Sequence, residues 1–135
     1  AIYWPLKNEV DIRSLKEKFS LALPRCKDKK ELLFYPWDEK PLTKDSEGIL
    51  SPNNSFSLNH EQINLILVPC LSVDKSLIRL GYGGGYFDKL RSDENWRNVP
   101  CIGVLTSNCV SKIPLTRAEW DIPLSGFITE KEIFV

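Results

Sequence analysis

Short apolar segments alternate with polar connections along most of this chain. The strongest segment, residues 63–69, is apolar at nearly every position, which predicts a strand buried on both faces. Further strands are predicted at residues 20–24, 32–35, 99–105 and 126–129. Because these strands alternate with helical patterns, we predict an α/β protein with a largely parallel sheet.

One segment near the start of the chain has a helical repeat. Ile12, Leu15 and Phe19 recur at helical spacing, and Asp11 precedes them where it can cap the helix start. The pattern therefore predicts a helix over residues 11–19.

The remaining stretches are predicted to be connections, with one more helix. Residues 38–59 are rich in Lys, Pro, Ser and Asn, which predicts a long surface connection. Residues 74–78 predict a shorter connection, and residues 86–91 a second helix. No repeat or shift in composition divides the chain, so we expect residues 1–135 to form a single domain.

Composition argues against several classes of function. Lys and Arg number 18, as do Asp and Glu, so no broad basic surface is expected to recruit nucleic acid. The longest apolar run, residues 63–68, is far shorter than a membrane span. Four scattered cysteines and a single histidine argue against a zinc site and for reduced thiols in a cytoplasmic protein. The chain lacks methionine and opens in an apolar stretch, so we expect it to be incomplete at the N-terminus.

The most informative motif is a glycine cluster flanked by an arginine and an aspartate. Gly81, Gly83, Gly84 and Gly85 remove side chains where the backbone can approach a ligand. Successive N–H groups that lead into a helix form a cradle for an anion. Arg79 adds a planar fork of donors suited to phosphate oxygens.

Two aspartates are candidate metal ligands near this motif. Asp88 lies about one turn into the predicted helix, where a carboxylate can hold Mg²⁺ against phosphates. Asp121 precedes the last strand and can supply a second carboxylate, although its spacing alone favours a turn role. The motif is neither a Walker loop nor a dinucleotide fingerprint. A flexible turn is the alternative for the glycines, and the flanking Arg79 and Asp88 favour phosphate binding.

Acidic and aromatic residues elsewhere are candidates for binding a flat ring. Glu9 can accept hydrogen bonds from the N–H and amino groups of a pterin ring, although acids near a helix start are also favoured electrostatically. The aromatic candidates for stacking, each with core packing as its alternative, are Trp4, Tyr82, Tyr86 and Trp120.

Several segments together resemble one enzyme family, the 5-formyltetrahydrofolate cyclo-ligases. The resemblance extends along nearly the whole chain, and RLGYGGGYFD at residues 79–88 is its most specific part. WDIPL at residues 120–124 and ITE at residues 128–130 follow in the expected order. The other matching segments are residues 9–11, 22–24 and 66–69.

The resemblance implies a three-layer α/β/α sandwich with a mostly parallel sheet, related to sugar-phosphate isomerases and CoA-transferases. It implies that 5-formyltetrahydrofolate and ATP are converted to 5,10-methenyltetrahydrofolate, ADP and phosphate, with Mg²⁺. Both substrates are small molecules, and we expect a monomer that binds neither nucleic acid nor membranes.

The resemblance also implies roles for matching positions. The ATP-binding residues are Arg79, Leu80, Gly81, Tyr82, Gly83, Gly84, Gly85, Tyr86 and Phe87. The metal ligands are Asp88 and Asp121. The substrate-binding residues are Trp4, Glu9, Tyr82 and Tyr86, and the catalytic residues are Arg79 and Tyr86.

Several features depart from the family pattern, including Cys70 in place of Gly and Phe87 in place of the commoner Tyr, and two of them bear on activity. Relatives begin with a helix whose Lys and Arg reach the ATP phosphates, and the present sequence starts after that region. Ser51 stands where many relatives have Glu before the proline. These departures motivate an alternative, a non-catalytic relative that binds folate or nucleotide. A third hypothesis, a sugar-phosphate isomerase of the same fold group, gives no reason for two matched aspartates.

Overall fold

The computed structural model describes residues 1–119 and 121–135. The strands are β1 (Ala22–Cys26), β2 (Leu32–Pro36), β3 (Thr43–Lys44), β4 (Leu50–Ser51), β5 (Ile66–Pro69), β6 (Ser72–Val73), β7 (Arg79–Leu80), β8 (Cys101–Val104), β9 (Gly126–Ile128) and β10 (Ile133–Phe134). The α-helices are α1 (Tyr86–Ser92) and α2 (Glu94–Arg97), and the 3₁₀ helices are Arg13–Glu17, Asp28–Lys30, His60–Gln62 and Ser107–Cys109.

The central sheet has the strand order β10-β9-β8-β5. β5 pairs with β8 in parallel, with Ile66 opposite Cys101, and β8 pairs with β9 in parallel. β10 pairs with β9 antiparallel. The connection from β5 to β8 holds β6, β7, α1 and α2, so the predicted glycine motif lies between two neighbouring strands of the sheet.

The prediction of a largely parallel sheet is correct only for β5, β8 and β9. The pairs β1–β2, β3–β4 and β6–β7 are antiparallel. Their short connections explain the difference, since parallel neighbours need a crossover of a dozen or more residues. The described chain is therefore a mixed α/β protein that is rich in strands and has few helices.

The core lies between this sheet and the segments around β2. Its fully buried side chains include Phe34, Ile66, Val68 and Phe127, each at most 1% exposed. Phe127 stacks on Phe134 with ring centroids 5.0 Å apart. Because these two residues are cross-strand partners, their stacking helps to hold β10 against β9.

The helix predicted over residues 11–19 is wrong in extent and type. The structure has a 3₁₀ helix at Arg13–Glu17 that buries no side chain. Phe19 is 61% exposed. Because the apolar stripe meets no core, tertiary packing does not support a longer α-helix.

The prediction that residues 63–69 are buried on both faces is also wrong. Only Ile66–Pro69 forms a strand, and its burial alternates, with Ile66 and Val68 in the core. Leu65, just before it, is 39% exposed. The strand therefore has one buried face and one partly open face.

Other predicted elements agree with the structure in position. Helix α1 matches the helix predicted at residues 86–91. The predicted surface connection at residues 38–59 contains the small β3–β4 hairpin, which its polar composition did not indicate. No helix in the described part of the chain is long and apolar enough to cross a membrane.

The first residues of the chain are tied to the strands. The Leu67 amide donates to the Ala1 carbonyl at 2.9 Å, and the Ile2 amide donates to the Ala22 carbonyl at 3.0 Å. These bonds bring the following segment, with Trp4 and Glu9, beside β5 and β1. The segment is thereby placed next to the glycine motif that follows β7.

Candidate functional site

A cleft of about 730 Å³ opens beside the carboxyl end of β5. Its size falls within the range of small-molecule sites. Apart from Trp120, it brings together the site residues that the sequence predicted: Trp4, Glu9, Arg79, Leu80, Gly81, Tyr82, Gly83, Gly84, Gly85, Tyr86, Phe87, Asp88 and Asp121. Residues separated by more than one hundred positions in the sequence therefore share one site.

The glycine turn forms one wall of the cleft. It links β7 to α1, and Gly85 takes a left-handed conformation, with φ of 76°, at the N-cap of α1. The backbone N–H groups of residues 81–85 find no backbone acceptor among the described residues. A left-handed turn with free N–H groups is suited to oxygen atoms of an anion.

Arg79 lies directly over this turn. A Cβ atom added to Gly81 would lie 2.6 Å from Arg79 Nη1, so the missing side chain makes room for the guanidinium. Arg79 Nε donates to the Pro69 carbonyl at 3.0 Å. No carboxylate in the described part of the chain lies within ion-pair distance of Arg79. Its charge is therefore available to an anionic ligand.

Glu9 faces the same cleft from the N-terminal segment. Its Oε1 accepts from the Leu6 amide at 2.7 Å, while Oε2 is buried and has no partner among the described residues. Burial raises the pKa of Glu9, although the Leu6 hydrogen bond and the charge of Arg79 act against this shift. A buried acceptor without a donor lowers the stability of the fold, and a ligand with N–H groups would supply the missing hydrogen bond.

Asp88 and Asp121 approach the cleft from different elements. Asp88 is exposed in the first turn of α1. The Ala118 amide donates to Asp121 Oδ2 at 2.7 Å. Asp121 therefore has the turn role that its spacing favoured. Both also line a smaller cavity of about 20 Å³, whose lining overlaps that of the cleft. Among residues 1–119 and 121–135, no three His, Cys, Asp or Glu side chains form a metal-binding group.

Tyr86 is tied to the opposite rim of the cleft. Its hydroxyl donates to Glu47 Oε1, and this bond raises the pKa of Tyr86 to about 12. Glu47 lies on the turn between β3 and β4, which Asp45 anchors by accepting from the Cys26 amide at 2.9 Å. The β3–β4 turn is therefore hydrogen-bonded across the cleft to α1.

The aromatic candidates differ in their surroundings. Trp4 packs edge-on against Trp37 at 5.9 Å, and the Arg13 guanidinium lies 4.6 Å from its ring. Tyr82 is 56% exposed at the cleft. Trp120 lies outside the described residues.

Sequence reasoning missed several lining residues, including Asp45, Glu47 and Cys26. The Asp45-to-Gly48 spacing is a turn signal, but the two-residue strands beside it show no period. Burial raises the pKa of Cys26 to about 12, so its thiol stays protonated at neutral pH. Ser51 is fully buried and accepts from Arg25 at 2.8 Å, away from the cleft lining.

The fold and the cleft define a mixed α/β protein whose site is built around a glycine turn with an unpaired arginine. Residues 5–130 match the model of the 5-formyltetrahydrofolate cyclo-ligase family, and the chain belongs to that family.

Individual relatives agree with this assignment. The chain is 29% identical to the 5-formyltetrahydrofolate cyclo-ligase of Haemophilus influenzae, over 92% of this chain and 71% of that protein. Its structure is similar to that of Aquifex aeolicus 5,10-methenyltetrahydrofolate synthetase, with a TM-score of 0.78, 30% identity, and coverage of 98% of this chain and 69% of the other. The Mycoplasma pneumoniae synthetase gives a TM-score of 0.68 at 26% identity, covering 97% and 73% of the two chains.

Proposed function

We propose that this chain catalyses the ATP-dependent cyclisation of 5-formyltetrahydrofolate to 5,10-methenyltetrahydrofolate, with release of ADP and phosphate. Family membership supports the reaction. The observation that carries the proposal for this chain is the shared cleft, where the unpaired Glu9 oxygen faces the same space as Arg79 and the glycine turn. One wall suits a nitrogen heterocycle, and the other suits phosphates.

The proposed reaction begins with phosphoryl transfer. The formyl oxygen is a poor leaving group, so it attacks the γ-phosphorus of ATP, and the bond to the β,γ-bridging oxygen breaks to release ADP. N10 then attacks the activated formyl carbon and loses its proton. Phosphate leaves with the former formyl oxygen, and the five-membered ring is closed. No side-chain nucleophile is needed.

The chain's own residues support this reaction by position and charge. The N–H groups of residues 81–85 are placed to hold phosphate oxygens, and Arg79 balances negative charge on the transferred group. The Tyr86 hydroxyl, with its pKa raised to about 12, keeps its proton. It donates that proton to Glu47 in the free protein, and it would have to leave this acceptor to act as a donor at the reacting centre. Glu9 orients the pterin ring by accepting hydrogen bonds from the amino and N–H groups of that ring.

The donors at Asp88 and Asp121 fit Mg²⁺ bound jointly with a nucleotide. Mg²⁺ commonly uses one or two protein carboxylates and takes its other ligands from phosphates and water. Asp88 and Asp121 line the same cleft as the glycine turn, and no three His, Cys, Asp or Glu side chains of the described residues form a metal-binding group, which matches that pattern. Bound there, Mg²⁺ would neutralise charge on the transferred phosphoryl group.

A pair of substitutions tests the metal ligands. We expect Asp88→Ala and Asp121→Ala each to lower turnover severely while the fold remains intact, with the loss deepest when Mg²⁺ is limiting. Asp121→Ala should also lower the melting temperature slightly, because Ala118 loses its acceptor. Near-normal turnover of either variant at limiting Mg²⁺ would remove that residue from the metal site.

The overall activity is tested by the absorbance of methenyltetrahydrofolate formed from 5-formyltetrahydrofolate. The assay is run with and without ATP and Mg²⁺, on this chain and on a version extended at the N-terminus. Product that depends on ATP and Mg²⁺ supports the cyclo-ligase. Activity of the extended form alone would assign an essential role to the added segment. If both forms are folded and inactive, the non-catalytic alternative is favoured.

Several finer features belong to the same proposal. We assign the fold to the three-layer α/β/α group that includes sugar-phosphate isomerases and CoA-transferases, and we expect a cytoplasmic monomer without affinity for nucleic acid. Light scattering coupled to size exclusion would test the oligomeric state, and a dimer would contradict it.

A further inference from the structure

We propose that Arg91 positions the carboxylate of Asp121 in the cleft. Arg91 lies on α1, three residues after Asp88, and is only 6% exposed. Its Nη1 donates to the Ile122 carbonyl and its Nη2 to the Pro123 carbonyl, both at 3.1 Å. The guanidinium thus holds the two residues that follow Asp121.

The bidentate contact makes a rigid bridge between two elements. Two parallel N–H donors fix both the distance and the orientation of the carbonyl pair. Helix α1 also carries Asp88, so one helix presents the first aspartate directly and holds the loop that presents the second. A movement of that loop would change the spacing between the two carboxylates.

The burial of Arg91 indicates that this contact does more than join two surfaces. A buried guanidinium without an ion pair is expensive, and no acidic side chain in the described part of the chain lies within ion-pair distance of Arg91. Its Nε is buried and has no partner among the described residues. Asp88, Asp121 and Arg79 line the same small cavity as Arg91. Arg91 therefore places a fixed positive charge behind the two aspartates.

Arg97 provides a matched control. It lies on α2 and also uses its guanidinium to hold carbonyls, since Nε donates to Arg91 O at 3.2 Å and Nη2 to Ser92 O at 3.0 Å. It lines neither cavity. Arg97→Met therefore removes a guanidinium-to-backbone contact at the C-terminal end of α1, while the Arg91 side chain keeps its two carbonyl acceptors after Asp121.

The first test measures how well the loop around Asp121 is held in place. Amide exchange followed by NMR reports on Ala118, whose N–H donates to Asp121 Oδ2, and on Asp121, whose N–H donates to Ala118 O. We expect R91M to accelerate exchange at both amides about tenfold or more. Exchange at Ser125, bonded to the Cys101 carbonyl, should change little. R97M should leave all three nearly unchanged. Equal exchange of Ala118 and Asp121 in R91M and the parent protein would overturn the proposal.

The second test rests on the proposed function and asks whether Arg91 acts through Asp121. We expect R91M to lower kcat about 10- to 100-fold, the usual effect of losing a residue that orients a ligand group. The KM for 5-formyltetrahydrofolate should change little, and R91K should restore part of the rate. In a D121A background, R91M should cause no further loss. Additive losses in the double variant would contradict a role through Asp121.

The two tests fail separately. If the parent protein forms no product, the proposed function fails, while amide exchange still decides whether Arg91 holds the loop. If R91M does not fold, R91K provides the same comparison, because lysine keeps the charge and stem but cannot hold both carbonyls. An R91K variant with parental exchange and parental kcat would then overturn the proposal.

Discussion

At the scale of single residues, the cleft contains a carboxylate with one buried oxygen that has no hydrogen-bond donor among the described residues. Glu9 has one oxygen bonded to the Leu6 amide and one buried without a partner among the described residues. An unmet buried acceptor lowers the stability of the free protein. Such an arrangement is typical of a binding site, where local stability is given up for recognition.

The first prediction concerns Glu9→Gln. The change leaves one acceptor for Leu6 but turns the cleft-facing oxygen into a donor, which would oppose the N–H groups of a pterin. We expect kcat/KM for 5-formyltetrahydrofolate to fall about 10- to 100-fold, the effect of losing charge-assisted hydrogen bonds. Asp11→Asn is the control, because Asp11 pairs with Arg13 at the surface and lies outside the cleft lining. Equal losses in both variants would argue against a specific role for Glu9.

The same substitution has a consequence for stability against pH. Burial raises the pKa of Glu9 above its ordinary value of 4.5, so the folded protein holds this proton more tightly than the unfolded chain does. The parent protein therefore loses stability relative to Glu9→Gln as pH rises above 4.5. Urea unfolding of both proteins across pH 4 to 8 measures this difference. A difference that shrinks as pH rises would contradict the direction of the shift.

A second prediction separates function from stability at Gly81. A methyl group there would meet the end of the Arg79 side chain, which can move away at little cost to the fold. We expect Gly81→Ala to keep nearly the parental melting temperature while the KM for ATP rises, because Arg79 is displaced. Gly48→Ala is the contrast, since its φ of +76° makes any side chain strained and should lower the melting temperature. An unchanged KM for ATP in Gly81→Ala would remove Arg79 from the phosphate site.

At the scale of elements, the β3–β4 turn contacts α1 across the cleft. The β3–β4 turn is held by Asp45, whose Oδ1 accepts from the amides of Glu47 and Ile49 at 2.9 and 3.0 Å. Glu47, on the same turn, accepts a hydrogen bond from the Tyr86 hydroxyl of α1. A rigid turn and the start of α1 therefore fix the width of the cleft between them.

The prediction at this scale concerns Glu47→Gln. A neutral amide oxygen can still accept from Tyr86, but it no longer disfavours the phenolate as strongly. We expect the pKa of Tyr86 to fall from about 12 towards its ordinary value of 10.0. NMR of ring-labelled tyrosine, assigned with Tyr86→Phe, measures the shift. An unchanged pKa would mean that Glu47 and Tyr86 are not bonded in solution.

At the scale of the whole molecule, local patterns predicted more of the site than of the sheet. Residues 79–88 were predictable because glycine, arginine and aspartate act there through local geometry, and the helix begins directly after the last glycine, Gly85. The meeting of Glu9 with this motif depends on strand pairings far apart in sequence, and only the family resemblance indicated it. The helix over residues 11–19 failed because periodicity cannot reveal whether an apolar stripe meets a core. Arg91 gave no signal, since one arginine in a helix ordinarily faces solvent.

The last prediction follows from the shared cleft and does not require turnover. Ligands that bind only the folded state stabilise it by mass action, by about 2.7 kcal/mol at one hundred times Kd. We expect a hydrolysis-resistant ATP analogue with Mg²⁺ and 5-formyltetrahydrofolate each to raise the melting temperature. Because Tyr82 and Tyr86 are proposed to contact both ligands, each ligand should change the affinity measured for the other. Two independent shifts, with unchanged affinities, would place the ligands in separate sites. Stabilisation by both ligands without product would mean that the chain keeps the binding site of the family and has lost its chemistry.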